Sequence, residues 1–106
     1  MNENIKTSII IKEKIRAGQG VDFSGNLADG VCYGVAKYPG YKNQWLEIET
    51  LGNIKAIPGE VIQKGDKVTF KKGFVYKCSD YEKPAGYALS DADENAEYIF
   101  IFKTGV

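Results

Sequence analysis

The segment from residue 65 to residue 78 reads Gly-Asp-Lys-Val-Thr-Phe-Lys-Lys-Gly-Phe-Val-Tyr-Lys-Cys, and it decides the predicted fold. Apolar residues alternate along the chain on both sides of Gly73, as they do in half-buried β-strands. We predict a hairpin with a three-residue link, Lys71-Lys72-Gly73, in which Gly73 takes the left-handed backbone conformation. That register places Phe70 opposite Phe74 and puts the apolar side chains on one face.

Short β-like stretches recur along the rest of the chain. We predict further strands at residues 5–15, 31–37, 44–50, 54–57, 85–89 and 97–103. The intervening turns are a type II turn at Tyr38-Pro39-Gly40-Tyr41, with positive φ at Gly40, and turns at Gly52-Asn53 and Pro58-Gly59. No long segment has helical periodicity, so the predicted class is all-β: a small single-domain β-barrel or sandwich of about seven or eight short strands.

The two ends of the chain differ in character. Residues 1–25 contain an alternating apolar stretch and a Gly-rich stretch, which we assign to an N-terminal strand or arm and a loop. Residues 26–106 form the predicted β-domain. In the closing strand, Tyr98, Phe100 and Phe102 alternate with Ile99 and Ile101. Because both faces are apolar, we expect this strand to be central and covered on both sides.

Composition excludes several function classes. The 106 residues include 14 Lys plus Arg, 14 Asp plus Glu and no histidine. Zero net charge argues against binding that relies on neutralising phosphates, and the commonest general base and metal ligand is missing. No apolar run approaches the roughly 20 residues that span a bilayer, and no signal peptide is evident. We therefore predict no membrane partner and no passage through a secretory pathway.

No catalytic constellation is evident, so we expect that the protein is not an enzyme and needs no cofactor. Cys32 and Cys78 do not form a metal or redox motif, and we expect both to be small buried thiols. The stretch that begins at Asp91 resembles a calcium loop, but Ala96 replaces the required glycine and Phe102 the bidentate glutamate. We expect a solvated acidic turn there and no metal site.

Two sets of residues are candidates for contact with a partner. The first is the N-terminal strand, which an edge of the protein's own sheet or of a neighbour can accept; its contact residues are Ile5, Thr7, Ile9, Ile10 and Ile11. The second is Trp45, on the polar face of strand 44–50, with the turn residues Tyr38 and Tyr41. The alternatives are that a loop or the N-terminal segment covers Trp45 and that the tyrosines brace their turn.

The order of motifs in residues 30–103 resembles a known family. The stretch 52–62 reads Gly-Asn-Ile-Lys-Ala-Ile-Pro-Gly-Glu-Val-Ile, and the Gly-Asp strand at 64–70 and the Gly hairpin at 73–77 follow it. Next come Gly-Tyr-Ala-Leu-Ser-Asp-Ala at 86–92 and the closing strand at 98–102, while Gly-Val-Ala at 34–36 supplies an earlier strand. This pattern is similar to that of the small capsid-decoration proteins of tailed bacteriophages, also called cement or auxiliary capsid proteins.

The resemblance implies a structural virion protein that is made in the host cytoplasm. Such a protein binds the outer surface of an assembled capsid and stabilises it against the pressure of packaged DNA. The implied partners are the major capsid protein and copies of the protein itself, with no direct contact to nucleic acid. Two other functions stay open: a nucleic-acid-binding barrel with a basic face made by Lys64, Lys67, Lys71, Lys72 and Lys77, and a carbohydrate- or peptide-binding module that uses Trp45 and Tyr41.

Overall fold

Eight antiparallel β-strands form the fold of residues 4–106, which are the residues that the computed structural model describes. The first three residues of the predicted N-terminal segment lie outside this range. The strands are β1 (Ile5–Ile10), β2 (Gly20–Val21), β3 (Gly34–Ala36), β4 (Trp45–Ala56), β5 (Lys67–Lys71), β6 (Phe74–Lys77), β7 (Gly86–Ala88) and β8 (Ile99–Lys103). The predicted all-β class is confirmed, and β2 is a short strand within a region predicted as loop. None of the described residues forms a helix that is long and apolar enough to cross a membrane.

The strands form one sheet that curls into a nearly closed barrel. Their order is β2-β3-β4-β8-β7-β5-β6, and β1 pairs separately with β4. The barrel closes where the tip of the β5–β6 hairpin meets the loop around β2. There the N–H of Gly20 donates to the carbonyl of Gly73 at 2.8 Å, and the N–H of Gly73 donates to the carbonyl of Ala28 at 2.8 Å.

The long strand β4 replaces two predicted strands, so the predicted turn at Gly52-Asn53 is wrong. Gly52 has a φ of 113°, but the chain continues in the same direction. It does so because both halves of β4 have partners: β1 pairs along the first half, as far as Leu51, and β8 along the second half, from Gly52. The apolar side chains of Leu46, Ile48, Ile54 and Ala56 keep the same parity across Gly52, which is the sequence signal for one strand.

The predicted hairpin exists, but its predicted register is wrong by one residue. Lys71 pairs with Phe74 and Phe70 pairs with Val75, so the link has only two residues, Lys72 and Gly73. Their φ angles are 50° and 85°. Positive φ at both positions is what a type I′ turn requires, and the twist of that turn matches the twist of the strands. Val75 therefore lies fully in the core in place of Phe74.

The predicted type II turn at Gly40 is also wrong. Gly40 is buried and forms an antiparallel bridge with Ile15. The tight turn follows it at residues 41–44, where Asn43 has a φ of 73°. A side chain at position 40 would place its Cβ 3.0 Å from Ile11 Cδ1 and 3.1 Å from Leu46 Cδ1. Glycine is needed there for close packing, not for the turn.

The interior has two apolar clusters. The larger cluster fills the barrel between β3, β4, β5, β6, β7 and β8, with Phe70 as its largest side chain. The smaller cluster packs Ile11, Ile15 and Val21 against Leu46 and Ile48 of β4. Residues from the predicted N-terminal segment thus share a core with β4, which fixes β1 against the barrel.

Candidate binding surface

Strand β8 has one buried face and one exposed face. Ile99 and Ile101 are fully buried, whereas Phe100 and Phe102 are 51% and 44% exposed. The strand is central as predicted, between β4 and β7, but the prediction that both of its faces are covered is wrong. The side chains on one face of a small barrel fill its interior, and no second layer packs on the outer face within residues 4–106.

The exposed side of β8 is the middle of a larger apolar surface, which we call the aromatic face. Phe102 pairs with Tyr87 of β7, and the N–H of Leu89 donates to the carbonyl of Phe100 at 2.7 Å. Cross-strand partners project to the same side of a sheet, so these side chains lie together. The aromatic face consists of six side chains that are each more than a third exposed: Leu51, Tyr87, Leu89, Tyr98, Phe100 and Phe102.

Two lysines border the aromatic face. Lys55 pairs with Phe100, and its ammonium lies 4.0 Å from the centre of the Tyr98 ring. Lys67 of β5 pairs with Tyr87 of β7, at the border of the aromatic face opposite to Lys55. An apolar centre with a positively charged rim suits a partner surface that is apolar and bordered by carboxylates.

A shallow groove of about 370 Å³ connects the aromatic face with the start of β1. Ile5, Leu51, Phe102 and Thr104 line it. Ile5 is 58% exposed and pairs with Leu51. Among the predicted contact residues, Ile5 is therefore the one that the structure brings to the aromatic face.

The predicted N-terminal strand belongs to the protein's own sheet. It pairs with β4 over its whole length, and Thr7 and Ile9 are half-buried opposite Ile48 and Leu46. Ile11, one of the predicted contact residues, is fully buried in the smaller cluster. Its side chain is therefore a core side chain and is not available to a partner.

Trp45, Tyr38 and Tyr41 are all on the surface. They are 69%, 56% and 62% exposed, so within residues 4–106 neither a loop nor the N-terminal strand covers Trp45. Trp45 pairs with Ile10 on the same outer side of β4 as Leu51. Leu51 lies six positions after Trp45, which is about 20 Å along a strand.

Polar residues occupy the space between Trp45 and the aromatic face. Glu47 and Glu49 lie there on β4, and the ammonium of Lys6 lies 3.9 Å from Glu47 Oε1. The outer side of the sheet thus has an apolar region at each end. The structure keeps the Trp45 region and the aromatic face separate.

Two ionisable side chains, Cys32 and Lys103, are buried in the interior. Burial raises the pKa of the Cys32 thiol to about 12, and burial lowers the pKa of the Lys103 ammonium. Lys103 donates to the carbonyl of Thr50 at 3.0 Å and also to that of Gly105, so it ties the end of β8 to its neighbours. Cys78 is only half-buried, in contrast to the prediction, and its thiol contacts the carbonyl of Glu82 at 3.3 Å. Within residues 4–106, no three His, Cys, Asp or Glu side chains group as metal ligands.

These features define a small all-β protein whose distinctive surface is suited to binding. A family model described as phage cement protein matches residues 1–103, so the chain belongs to the phage cement protein family. The chain is a capsid-associated structural protein of a bacteriophage. The family resemblance seen in the sequence is thereby confirmed.

The fold also matches a solved structure. The head fiber gp8.5 N base in bacteriophage phi29 superimposes with a TM-score of 0.78 over 96% of this chain and 95% of that chain, at 19% sequence identity. At this level of identity the comparison establishes a shared fold. A search of curated proteins finds no significant match.

The aromatic face is the surface that the sequence did not reveal. The alternation in residues 98–102 showed that both sides of the strand are apolar, but it did not show which side lacks a cover. Alternation specifies which side chains share a face of a strand, but it carries no signal for what packs against that face.

Proposed function

We propose that this protein binds the outer surface of an assembled bacteriophage capsid through its aromatic face and stabilises the shell. The observation that carries the proposal is the group of six apolar side chains left in water on the outer side of β4, β8 and β7. Large exposed apolar patches on soluble proteins mark interaction sites. Membership of the phage cement family supports the capsid as the partner.

The proposed mechanism is binding without chemistry. An aromatic side chain has roughly 200 Å² of surface, and about half of the Phe100 surface is exposed. Covering that half removes about 100 Å² from water, which contributes about 2.5 kcal/mol. If the contact spans two shell subunits, the same free energy opposes their separation, and many copies act together.

The other parts of the proposal concern the partners, the chemistry and the place of synthesis. The major capsid protein supplies the complementary apolar area, and the neutral chain limits repulsion between crowded copies of itself. We propose no enzymatic activity, no cofactor and no direct contact with nucleic acid. Synthesis takes place in the host cytoplasm, before the protein joins the outer surface of the virion.

Co-sedimentation with capsids tests the proposal. Purified protein is mixed with expanded, empty shells of the same phage, and bound protein is measured across a concentration series. We expect saturable binding and a higher temperature of shell disruption by light scattering. Absence of co-sedimentation at micromolar protein would overturn the proposal. A parallel gel-shift series with duplex DNA at low salt is expected to show no complex, and a salt-sensitive complex would favour the nucleic-acid-binding alternative.

A further inference from the structure

The edges of the sheet are protected in two places. At β2, the N–H of Ala28 donates to the carbonyl of Gly20 at 2.9 Å, so the following loop covers that strand. At β6, the N–H of Val75 donates to the carbonyl of Ile57 at 2.9 Å, and the N–H of Gly59 donates to the carbonyl of Val75 at 2.8 Å. Loop residues thus form hydrogen bonds with the backbone of β2 and β6, the two strands at the ends of the strand order. Covering an edge strand in this way is one means by which soluble proteins prevent unwanted strand addition.

Strand β1 is different, because its outer edge has free backbone groups. Just after β1, the N–H of Ile11 points toward the β4 side and donates to the carbonyl of Gln44 at 3.0 Å. The N–H of the next residue, Lys12, points away from β4 and donates to the carbonyl of Gly25 at 2.9 Å. Backbone groups alternate between the two edges of a strand. The N–H and C=O groups of Lys6 and Ser8 therefore point away from β4, and within residues 4–106 these N–H groups donate, and these C=O groups accept, no backbone hydrogen bond.

We infer that the outer edge of β1 is a docking site for one extended segment of the capsid shell protein, which adds to the sheet as a further strand. This inference rests on the proposed function and names a second contact for it. Lys6 and Ser8 together offer two donors and two acceptors, the number that a short added strand uses. β1 contains no proline, and its one charged side chain, Lys6, is turned toward Glu47 on the outer face. Its one irregularity in register lies at its start, between Ile5 and Lys6, and the pairing is regular from Lys6 to Ile10.

The size of the edge favours a shell segment over a second copy of this chain. The free edge runs over residues 5–9, which is about 17 Å of strand. A ribbon of that length and about 10 Å of width has roughly a fifth of the 800 Å² per partner that stable dimers bury. A shell segment has further support, because the groove lined by Ile5, Leu51 and Phe102 leads from this edge to the aromatic face.

A proline at position 8 tests the docking site without disturbing the pairing of β1 with β4. Because the N–H of Ser8 points outward, Ser8→Pro removes no hydrogen bond to β4, and its ring blocks the approach of a further strand. Ser8→Ala is the matched control, since it removes the same hydroxyl and keeps the N–H. We expect Ser8→Pro to bind expanded capsids at least about tenfold more weakly than wild type, and Ser8→Ala to bind within about twofold of wild type.

Hydrogen exchange gives an independent measurement on the wild-type protein. The amides of Lys6 and Ser8 are expected to exchange rapidly in the free protein and slowly on capsids, whereas those of Thr7 and Ile9 are slow in both. This readout decides the question even where Ser8→Pro fails to fold.

The outcomes separate the inference from the proposed function. If wild-type protein does not bind capsids, the proposed function fails. If wild type binds but Ser8→Pro binds equally well, or the amides of Lys6 and Ser8 stay unprotected on capsids, the strand-docking inference is wrong and the proposed function stands. A wild-type dimer that Ser8→Pro abolishes would assign the edge to a second copy and would also overturn the inference.

Discussion

The two phenylalanines of the aromatic face can be replaced without touching the core of the barrel. The test protein carries Phe100→Thr together with Phe102→Thr. Both side chains project outward from β8, and the buried residues Ile99 and Ile101 are unchanged. Threonine is a strong strand former, so β8 is expected to keep its pairing with β4 and β7.

The expected loss of binding follows from the exposed areas. Phe100 and Phe102 are 51% and 44% exposed, which corresponds to about 190 Å² of apolar surface if each side chain has roughly 200 Å². Complete burial of this area against the capsid contributes about 5 kcal/mol. Every 1.4 kcal/mol or so is a factor of ten in affinity, so even half of that burial makes the double variant about 60-fold weaker.

The assay is co-sedimentation with expanded capsids over a concentration series, with circular dichroism to show that each variant is folded. Phe23→Thr is the matched control. Phe23 is 56% exposed and stacks on Tyr33, with the ring centres 4.3 Å apart, but it lies outside the aromatic face. This control loses the same kind of side chain and is expected to bind as wild type does.

Two results would refute this reasoning. One is a folded double variant that binds within about threefold of wild type. The other is a Phe23→Thr variant that loses as much affinity as the double variant, because general surface hydrophobicity would then explain binding.

Three further predictions concern stability, each measured by urea unfolding. Gly86→Ala is expected to lower the free energy of unfolding by about 3 kcal/mol, because the added Cβ would lie 2.1 Å from the carbonyl oxygen of Phe102. The control is Gly105→Ala, whose Cβ would meet nothing within 4 Å. This control should change the free energy of unfolding by less than about 0.5 kcal/mol. Between pH 9 and pH 12 the free energy of unfolding of the wild type should fall by up to about 4 kcal/mol relative to that of Cys32→Ala. The reason is that burial raises the pKa of the Cys32 thiol, so the folded thiol stays protonated while the unfolded thiol ionises. Parallel pH profiles of the two proteins would contradict this prediction. Lys72→Asn should raise the free energy of unfolding by about 0.5 kcal/mol, since Lys72 has a φ of 50° and Asn-Gly is favoured in type I′ turns; a lower value would show that the lysine side chain matters more than the backbone.

Local patterns predicted much of the fold. The alternation on both sides of Gly73 predicted the β5–β6 hairpin, and the absence of helical periodicity predicted an all-β chain. The alternation in residues 44–50 also placed Trp45 on the outer side of its strand, which the structure confirms. These successes share one cause, because successive side chains of a strand point to opposite faces whatever the strand packs against.

The errors arose where a local motif had more than one compatible geometry. Gly52-Asn53 suits a turn, but it lies inside β4, because β1 and β8 pair with the two halves of that strand. In the hairpin, a two-residue link replaced the predicted three-residue link, and the shift brought Val75 into the core in place of Phe74. Long-range pairing and the fit of the core select one geometry in such cases.

The sequence by itself determined that this chain is a β-protein, that both sides of its last strand are apolar, and that its motifs follow the order found in phage cement proteins. Only the tertiary structure decided that Phe100 and Phe102 face outward and that β1 has one paired edge and one free edge. The physical reason is that a strand's pattern specifies what each face and edge offers, whereas exposure depends on which other segments reach it. In this protein, closing the barrel uses one face of the sheet and leaves the aromatic face available for a partner.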